Sequence, residues 1–268
     1  SISKMVQSLH LLSSSTIGLT TDLWVPSTEN IRPQESWQTD LSVHYMAKPG
    51  LQFTLSSYYK WMDNLLTYTE GGNTLTNWEN NVTAGRGQAY GLEFMAQKTT
   101  GKTTGWLAYT LAWTQRQFDE VNLGRIFPYR FDRRHNVQIA AVHQLRPNIE
   151  ISGNWVFGTG LAFSAPEGKF LSGIPSSDQP PFPIFIYDSK NKFRMPAYHR
   201  LDLSVNIHFD KDNSEQTLKI GGYNIYNRRH PLYFALRNAP EQNNIFNKEF
   251  VQVQLLPFIP SISYTIKL

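Results

Sequence analysis

The sequence predicts an all-β chain whose antiparallel strands form part of a transmembrane β-barrel wall. Three observations carry that prediction. Apolar and polar residues alternate with period two along most of the chain, while period 3.6 is nearly absent. The connectors alternate strictly between short and long. The 268 residues are poor in charge (17%) and rich in aromatics (13%, with 13 Tyr and 7 Trp), and such side chains gather where a surface passes from hydrocarbon to water.

In chain order, a short strand is expected at 4–12. A hairpin follows in which Thr39, Leu41, Val43, Tyr45 and Ala47 alternate with Asp40, Ser42, His44 and Met46. After the turn Lys48-Pro49-Gly50, Leu51, Phe53, Leu55, Ser57, Tyr59 and Trp61 alternate with Gln52, Thr54, Ser56, Tyr58 and Lys60. Each arm is long enough to cross a membrane at a tilt. Further strands read at 86–98, 104–117, 134–145, 149–163, 198–209, 216–227 and 250–267, the last interrupted near Pro257 and Pro260 because proline cannot donate to a ladder. In 198–209, Leu201, Leu203, Val205, Ile207 and Phe209 share one face, and Arg200, Asp202, Ser204, Asn206 and His208 the other.

The connectors 13–35, 63–85, 118–133, 164–197 and 228–249 are long, and 48–50, 99–103, 146–148 and 210–215 are short. A membrane barrel has such an alternation because its two rims face different compartments. With the carboxyl terminus in the periplasm, every long loop lies outside. The prolines of 164–197 (Pro175, Pro180, Pro181, Pro183 and Pro196) discourage a regular strand there. Aromatics near strand ends, namely Tyr45, Tyr59, Trp61, Trp78, Tyr90, Trp106, Trp113, Trp155, Tyr198, Tyr223 and Tyr264, are expected as interfacial anchors, with ordinary sheet packing as the plainer account.

Several function classes fall away. With no Cys, disulfides, thiolate metal sites and cysteine nucleophiles are excluded. The 25 basic residues are offset by 21 acidic ones without a basic patch, so nucleic acid is not an expected partner. No apolar run approaches the length of a transmembrane helix. Thr100-Gly101-Lys102-Thr103 lacks the first glycine and the following helix of a phosphate-binding loop and reads as a turn. No nucleophile elbow or metalloprotease motif is present, so the chain is expected to be no enzyme and to hold no cofactor. The amino end has no export signal, so the chain is expected to be mature or to lack its natural start.

On the polar faces, Asp40, His44, Arg200, Asp202, Asn206 and His208 are candidates to line an interior path; the plainer reading is that they solvate the wall or pair with one another. Asp132, Arg133 and Arg134, heading a strand, suit an anionic cargo, against the alternative of a local ion pair. His44, His199 and His208 are the histidines most open to meeting across strands.

Several segments resemble the later barrel region of TonB-dependent receptors of the Bacteroidetes type. These are Val6–Leu12, Asp22–Pro26, Ile31–Gln34, Gly87–Glu93, Phe127–His135, Tyr198–Asp202, Asn224–Asn227 and the final Pro260–Leu268. The resemblance covers essentially the whole chain. It implies the last ten or so strands of a 22-strand barrel, with an amino-terminal plug and the remaining strands supplied elsewhere. It further implies an outer-membrane lipid environment, energy from TonB-ExbB-ExbD, and uptake of a small-molecule, glycan or peptide cargo, with a surface lipoprotein as a further partner. The polar-face candidates would then meet the plug or the cargo. Such barrels commonly end in Phe, whereas this chain ends in Leu268. The competing expectations are a complete small barrel acting as a passive pore or adhesin, and a soluble β-sandwich that binds glycans.

Overall fold

The computed structural model describes residues 1–13, 22–69, 77–172, 182–211, 214–238 and 248–267. Ten strands make the wall: β1 (Ile2–Gln7), β2 (Gln34–Lys48), β3 (Leu51–Tyr68), β4 (Val82–Lys98), β5 (Thr103–Gln117), β6 (His135–Arg146), β7 (Ile149–Gly158), β8 (Tyr198–Lys211), β9 (Ser214–Tyr223) and β10 (Ile259–Lys267). Each pairs antiparallel with its neighbours in the order β1 to β10, and the two-residue strand Phe127–Pro128 lies beside β5.

The register explains why the alternation matters. Residues in register share a face, so one row runs Val43, Leu55, Phe94, Tyr109, Val137, Phe157, His199 and the next Tyr45, Phe53, Ala96, Leu107, Ile139, Trp155, Leu201. Between them on the other face lies the row His44, Thr54, Met95, Ala108, Gln138, Val156, Arg200. One face is therefore a continuous apolar sheet and the other a polar one. Among the described residues nothing covers the apolar side: Leu41 is 70% exposed, Val43 60%, Tyr45 64% and Ile262 76%. In water such a face is a large exposed apolar patch; against lipid it is the outer wall of a barrel.

Short connections turn tightly. Gly50 and Gly101 adopt φ of 78° and 87°, a region open to glycine at little cost. The two turns also interlock, with Thr99 N–H donating to Gly50 O at 2.8 Å. At the opposite rim the long connections carry ribbons of their own: Leu9–Ser13 with Asp22–Pro26, Gly168–Ser172 with Phe182–Ile186, and His230–Asn238 with Lys248–Leu255. The tightly packed core sits there, under the loops. Met62, Leu65, Phe118, Val121 and Phe127 form one cluster; Leu12, Val25 and Leu66 form another, with Trp78 against it.

Several expected boundaries shift. The first strand breaks at Ser8 into β1 and a loop ribbon, β3 runs on to Tyr68, and β7 stops at Gly158. The segment 216–227 ends as a strand at Tyr223, and 250–267 divides between the ribbon strand Lys248–Leu255 and β10. The prolines of 164–197 do not exclude a strand, since Pro183 pairs with Leu171 in the ribbon there. A two-stranded ribbon has a free edge, where a missing N–H costs no ladder bond. Pro260 likewise stands within β10.

Candidate lumenal face and loop rim

The polar face curves around a hollow of about 500 Å³ bordered by Trp106, Asn154, Asp202, Ser204, Lys219 and Tyr223. Small neighbours such as Ala140 and Ser152 leave that space open. Asp40, His44, Arg200, Asp202, Asn206 and His208 all lie on this face, as their register positions require. They are not gathered into one site. Asp40 accepts from Gln38 Nε2 at 2.7 Å, His44 Nδ1 meets Thr54 Oγ1 at 3.0 Å, and His208 bridges Thr217 Oγ1 at 3.1 Å and Glu150 at 3.4 Å. The carbonyl oxygen of the Asn206 side chain is buried without a hydrogen bond among the described residues. His199 stands on the opposite, apolar face against Tyr226, so the three histidines do not converge.

Arg200 and Asp202 do meet. Arg200 Nε donates to Asp202 Oδ2 at 3.0 Å, and Nη1 donates to the hydroxyls of Tyr198 at 2.9 Å and Tyr223 at 2.7 Å. The guanidinium also stacks over the Tyr223 ring at 4.1 Å. Asp202 Oδ1 then accepts the backbone N–H of Asn224 at 2.9 Å. Asn224 is fully buried with φ of 53°; its amide donates to Arg228 O and Leu256 O, and its carbonyl accepts Arg228 N–H at 3.0 Å. The top of β9, the loop behind it and the inner wall are thus tied at one residue.

A second knot surrounds Asp132, only 1% exposed. It accepts Thr114 N–H at 2.6 Å, is bound by the Arg194 guanidinium, and has Arg134 at 3.6 Å. Arg194 Nη1 also donates to the Asp132 carbonyl at 2.6 Å. Two cations on one buried carboxylate fasten the 118–133 loop to the 164–197 loop. Arg134 covers the Trp113 ring at 4.3 Å. Arg133 points elsewhere, into the place a Cβ on Gly158 would fill, and its burial lowers the pKa of its guanidinium.

A single apolar-faced antiparallel meander with its loops massed at one rim is what a membrane barrel wall requires. The family described as TonB dependent receptor-like, beta-barrel matches residues 12–225. The chain belongs to that family. No curated protein sequence matches it. Among solved structures, the ferric citrate transporter FecA in the unliganded form is similar, with a TM-score of 0.50 and 15% identity, over 87% of this chain and 31% of that one. That likeness concerns the fold, and the chain spans under a third of that transporter's length.

Within the receptor barrel, the aromatics divide by face. Tyr59, Tyr90 and Trp113 stack in series on the apolar side near the loop rim, with centroids 5.5 and 5.3 Å apart, and Trp61 packs on Tyr59 at 4.3 Å. Tyr45 and Tyr264 lie toward the opposite rim. Trp106, Tyr198 and Tyr223 are not anchors: register places them on the polar face. Trp78 belongs to the loop core. Sequence reasoning missed Arg194 as the partner of Asp132. It also missed the Arg116 guanidinium lying 3.4 Å over the Tyr129 ring beneath the loops. The signal available for the second was a cationic residue at the end of an inward-facing series, Thr110, Ala112, Thr114, Arg116.

Proposed function

We propose that residues 1–268 are the carboxyl-terminal part of the barrel of a Bacteroidetes-type TonB-dependent receptor. The complete receptor has 22 strands, an amino-terminal plug and an outer-membrane location, and it uses energy from TonB-ExbB-ExbD to take up a scarce nutrient. The observation that supports this most is the open meander. β1 pairs only with β2 and β10 only with β9 among the described residues, so each edge needs further strands to be satisfied in hydrocarbon. In this reading the wall strands hold the long loops, which select the cargo together with a surface lipoprotein where one is present. The polar face meets the plug.

The reading has two rivals. A complete small barrel needs β1 and β10 to pair, and a glycan-binding sandwich needs a second sheet packed on the first; the sheet order favours neither. The test is the intact mass of the protein extracted from its native outer membrane, with cargo uptake measured in cells lacking TonB. A mass well above 30.8 kDa and loss of uptake without TonB are expected. A 30.8 kDa species with no complementary fragment overturns the assignment in favour of the small barrel.

A further inference from the structure

The two rims of the wall carry charge differently. At the loop rim cations meet anions: Arg130 lies 2.7 Å from Asp22, Arg134 and Arg194 converge on Asp132, and Lys192 lies 2.9 and 2.8 Å from Glu167 and Asp188. At the rim of short turns, the hairpins β2–β3, β4–β5 and β6–β7 carry Lys48, Lys98, Lys102 and Arg146, all exposed. The stretches that contain those turns, 41–60, 94–118 and 135–149, include no Asp or Glu. Acids return at Glu150, which His208 approaches at 3.4 Å, and in the segment 210–215 with Asp210, Asp212 and Glu215.

The four cations form one belt because the turns are tied in series. Thr99 N–H donates to Gly50 O at 2.8 Å, Gln144 N–H to Lys102 O at 2.7 Å, and His208 N–H to Asn148 O at 2.9 Å. With strands about 4.8 Å apart, the first and third turns stand about 20 Å from each other. The height of the belt follows from the register. From Leu51 to Trp61, β3 climbs ten residues, about 33 Å along the strand and about 25 Å along the membrane normal at the usual tilt, which is the height of a barrel's apolar band. Lys98 is in register with Leu51 at the lower end of that band, on the apolar face with Phe94 and Ala96. Its ammonium turns away from the band: Nζ lies 3.7 Å from the place of a Cβ on Gly101, in the turn below. On the same face Thr103 Oγ1 and His143 Nδ1 meet at 2.7 Å, two residues nearer the rim than Gly105, the partner of Lys98. A lysine whose stem lies on the wall and whose head reaches the rim sits at the level of lipid head groups.

We propose that this belt binds the phosphate groups of anionic glycerophospholipids in the periplasmic leaflet, with the acyl chains lying on the apolar wall above Lys98. Four cations along one row of turns favour a head group of net negative charge. A zwitterionic head group brings a cation of its own into the same field and gains less. The belt is continuous with the apolar face through Lys98, which favours lipid over an acidic protein segment as its occupant. The proposal rests on the reading that the apolar face meets lipid and that the short turns lie in the periplasm.

The test uses the full-length receptor in nanodiscs of equal parts phosphatidylglycerol, phosphatidylethanolamine and phosphatidylcholine, with retained lipids counted by native mass spectrometry. One basic residue at an anionic surface is worth about fivefold, so phosphatidylglycerol should be enriched by about that factor or more over each competitor. Lys48→Gln, Lys98→Gln, Lys102→Gln and Arg146→Gln combined should return it to the bulk ratio. The charge-conserving set Lys48→Arg, Lys98→Arg, Lys102→Arg and Arg146→Lys should keep the enrichment. Heat-modifiable gel mobility verifies folding, and Lys98→Gln alone, which should lower the enrichment about twofold or more, serves if the combined variant does not fold. Equal retention of the three lipids overturns the proposal and leaves the belt to an acidic periplasmic segment. Enrichment that survives the Gln substitutions, or a preference for phosphatidylethanolamine, overturns it too. A receptor that fails to enter nanodiscs at all refutes the membrane reading instead.

Discussion

Placing one arginine at successive positions of β3 separates the two faces energetically. Leu55 is 53% exposed on the apolar face, near the middle of the climb from Leu51 to Trp61. An arginine at the midplane of a barrel's lipid face costs about 2–4 kcal/mol, falling to about 0–1 kcal/mol near the interfaces. Leu55→Arg should therefore lower the folded-to-unfolded ratio by roughly thirty-fold to several-hundred-fold, since about 1.4 kcal/mol is a factor of ten. Leu51→Arg, on the same face but at the lower rim, should cost under about 1 kcal/mol. Ser56→Arg, one residue along and on the polar face, should cost no more than that, although it removes the 2.9 Å contact of Ser56 with Ser42. Folding of the full-length receptor into vesicles across a urea series, read by heat-modifiable mobility, measures all three. If Ser56→Arg were as costly as Leu55→Arg, or Leu55→Arg were neutral, the assignment of faces would be wrong.

Other consequences concern the rim. Asp132→Asn removes the charge on which Arg194 and Arg134 converge; because both arginines are partly exposed, the expected loss is about 2 kcal/mol rather than that of a fully buried pair. It should appear first as faster proteolysis of 118–133 and 164–197. Asn224→Ala should cost about 2–3 kcal/mol from lost hydrogen bonds and a left-handed backbone, and Asn224→Gly about 1 kcal/mol less because glycine tolerates that backbone; thermal denaturation compares them. His10 is 1% exposed, and burial lowers its pKa. Its neutral form is therefore the folded one, and the unfolded chain binds the extra proton between the folded and ordinary values. Ribbon stability should be complete above the ordinary histidine range and decline as pH falls below about 6.5. Protease cutting within Leu9–Pro26 should rise accordingly, and His10→Phe should remove the pH dependence.

The faces of the wall were legible because a strand has only two of them, and parity alone assigns each side chain once the register is fixed. Asp40, His44, Arg200, Asp202, Asn206 and His208 fell on one face for that reason. Parity was least informative in β5, where Trp106, Ala108 and Ala112 alternate with Leu107, Tyr109 and Leu111, so both faces carry apolar residues. That is why the alternation alone does not show that Trp106 turns to the polar face. The loop rim was hardest to read. Asp132 finds Arg194 across 62 residues of chain, and no local pattern announces such a meeting. The motif Asn224-Ile225-Tyr226-Asn227 was visible as a string, but its role depends on positive φ at both asparagines and on two acceptors distant in sequence, the Asp202 carboxylate on β8 and the Leu256 carbonyl before β10.

Residues 1–268 contain no cysteine, so single cysteines can be placed in them within a full-length receptor from which any cysteine outside this segment has been removed. Val43, Leu55 and Phe94 lie in one register row, and His44, Thr54 and Met95 in the adjacent row on the other face. In lipid vesicles, a membrane-permeant fluorophore attached to cysteines in the first row should be quenched by a spin label on the acyl chains, and those thiols should resist a water-soluble maleimide; the second row should show the reverse. Equal labelling and equal quenching of the two rows would contradict the claim that this sheet is the wall of a membrane barrel.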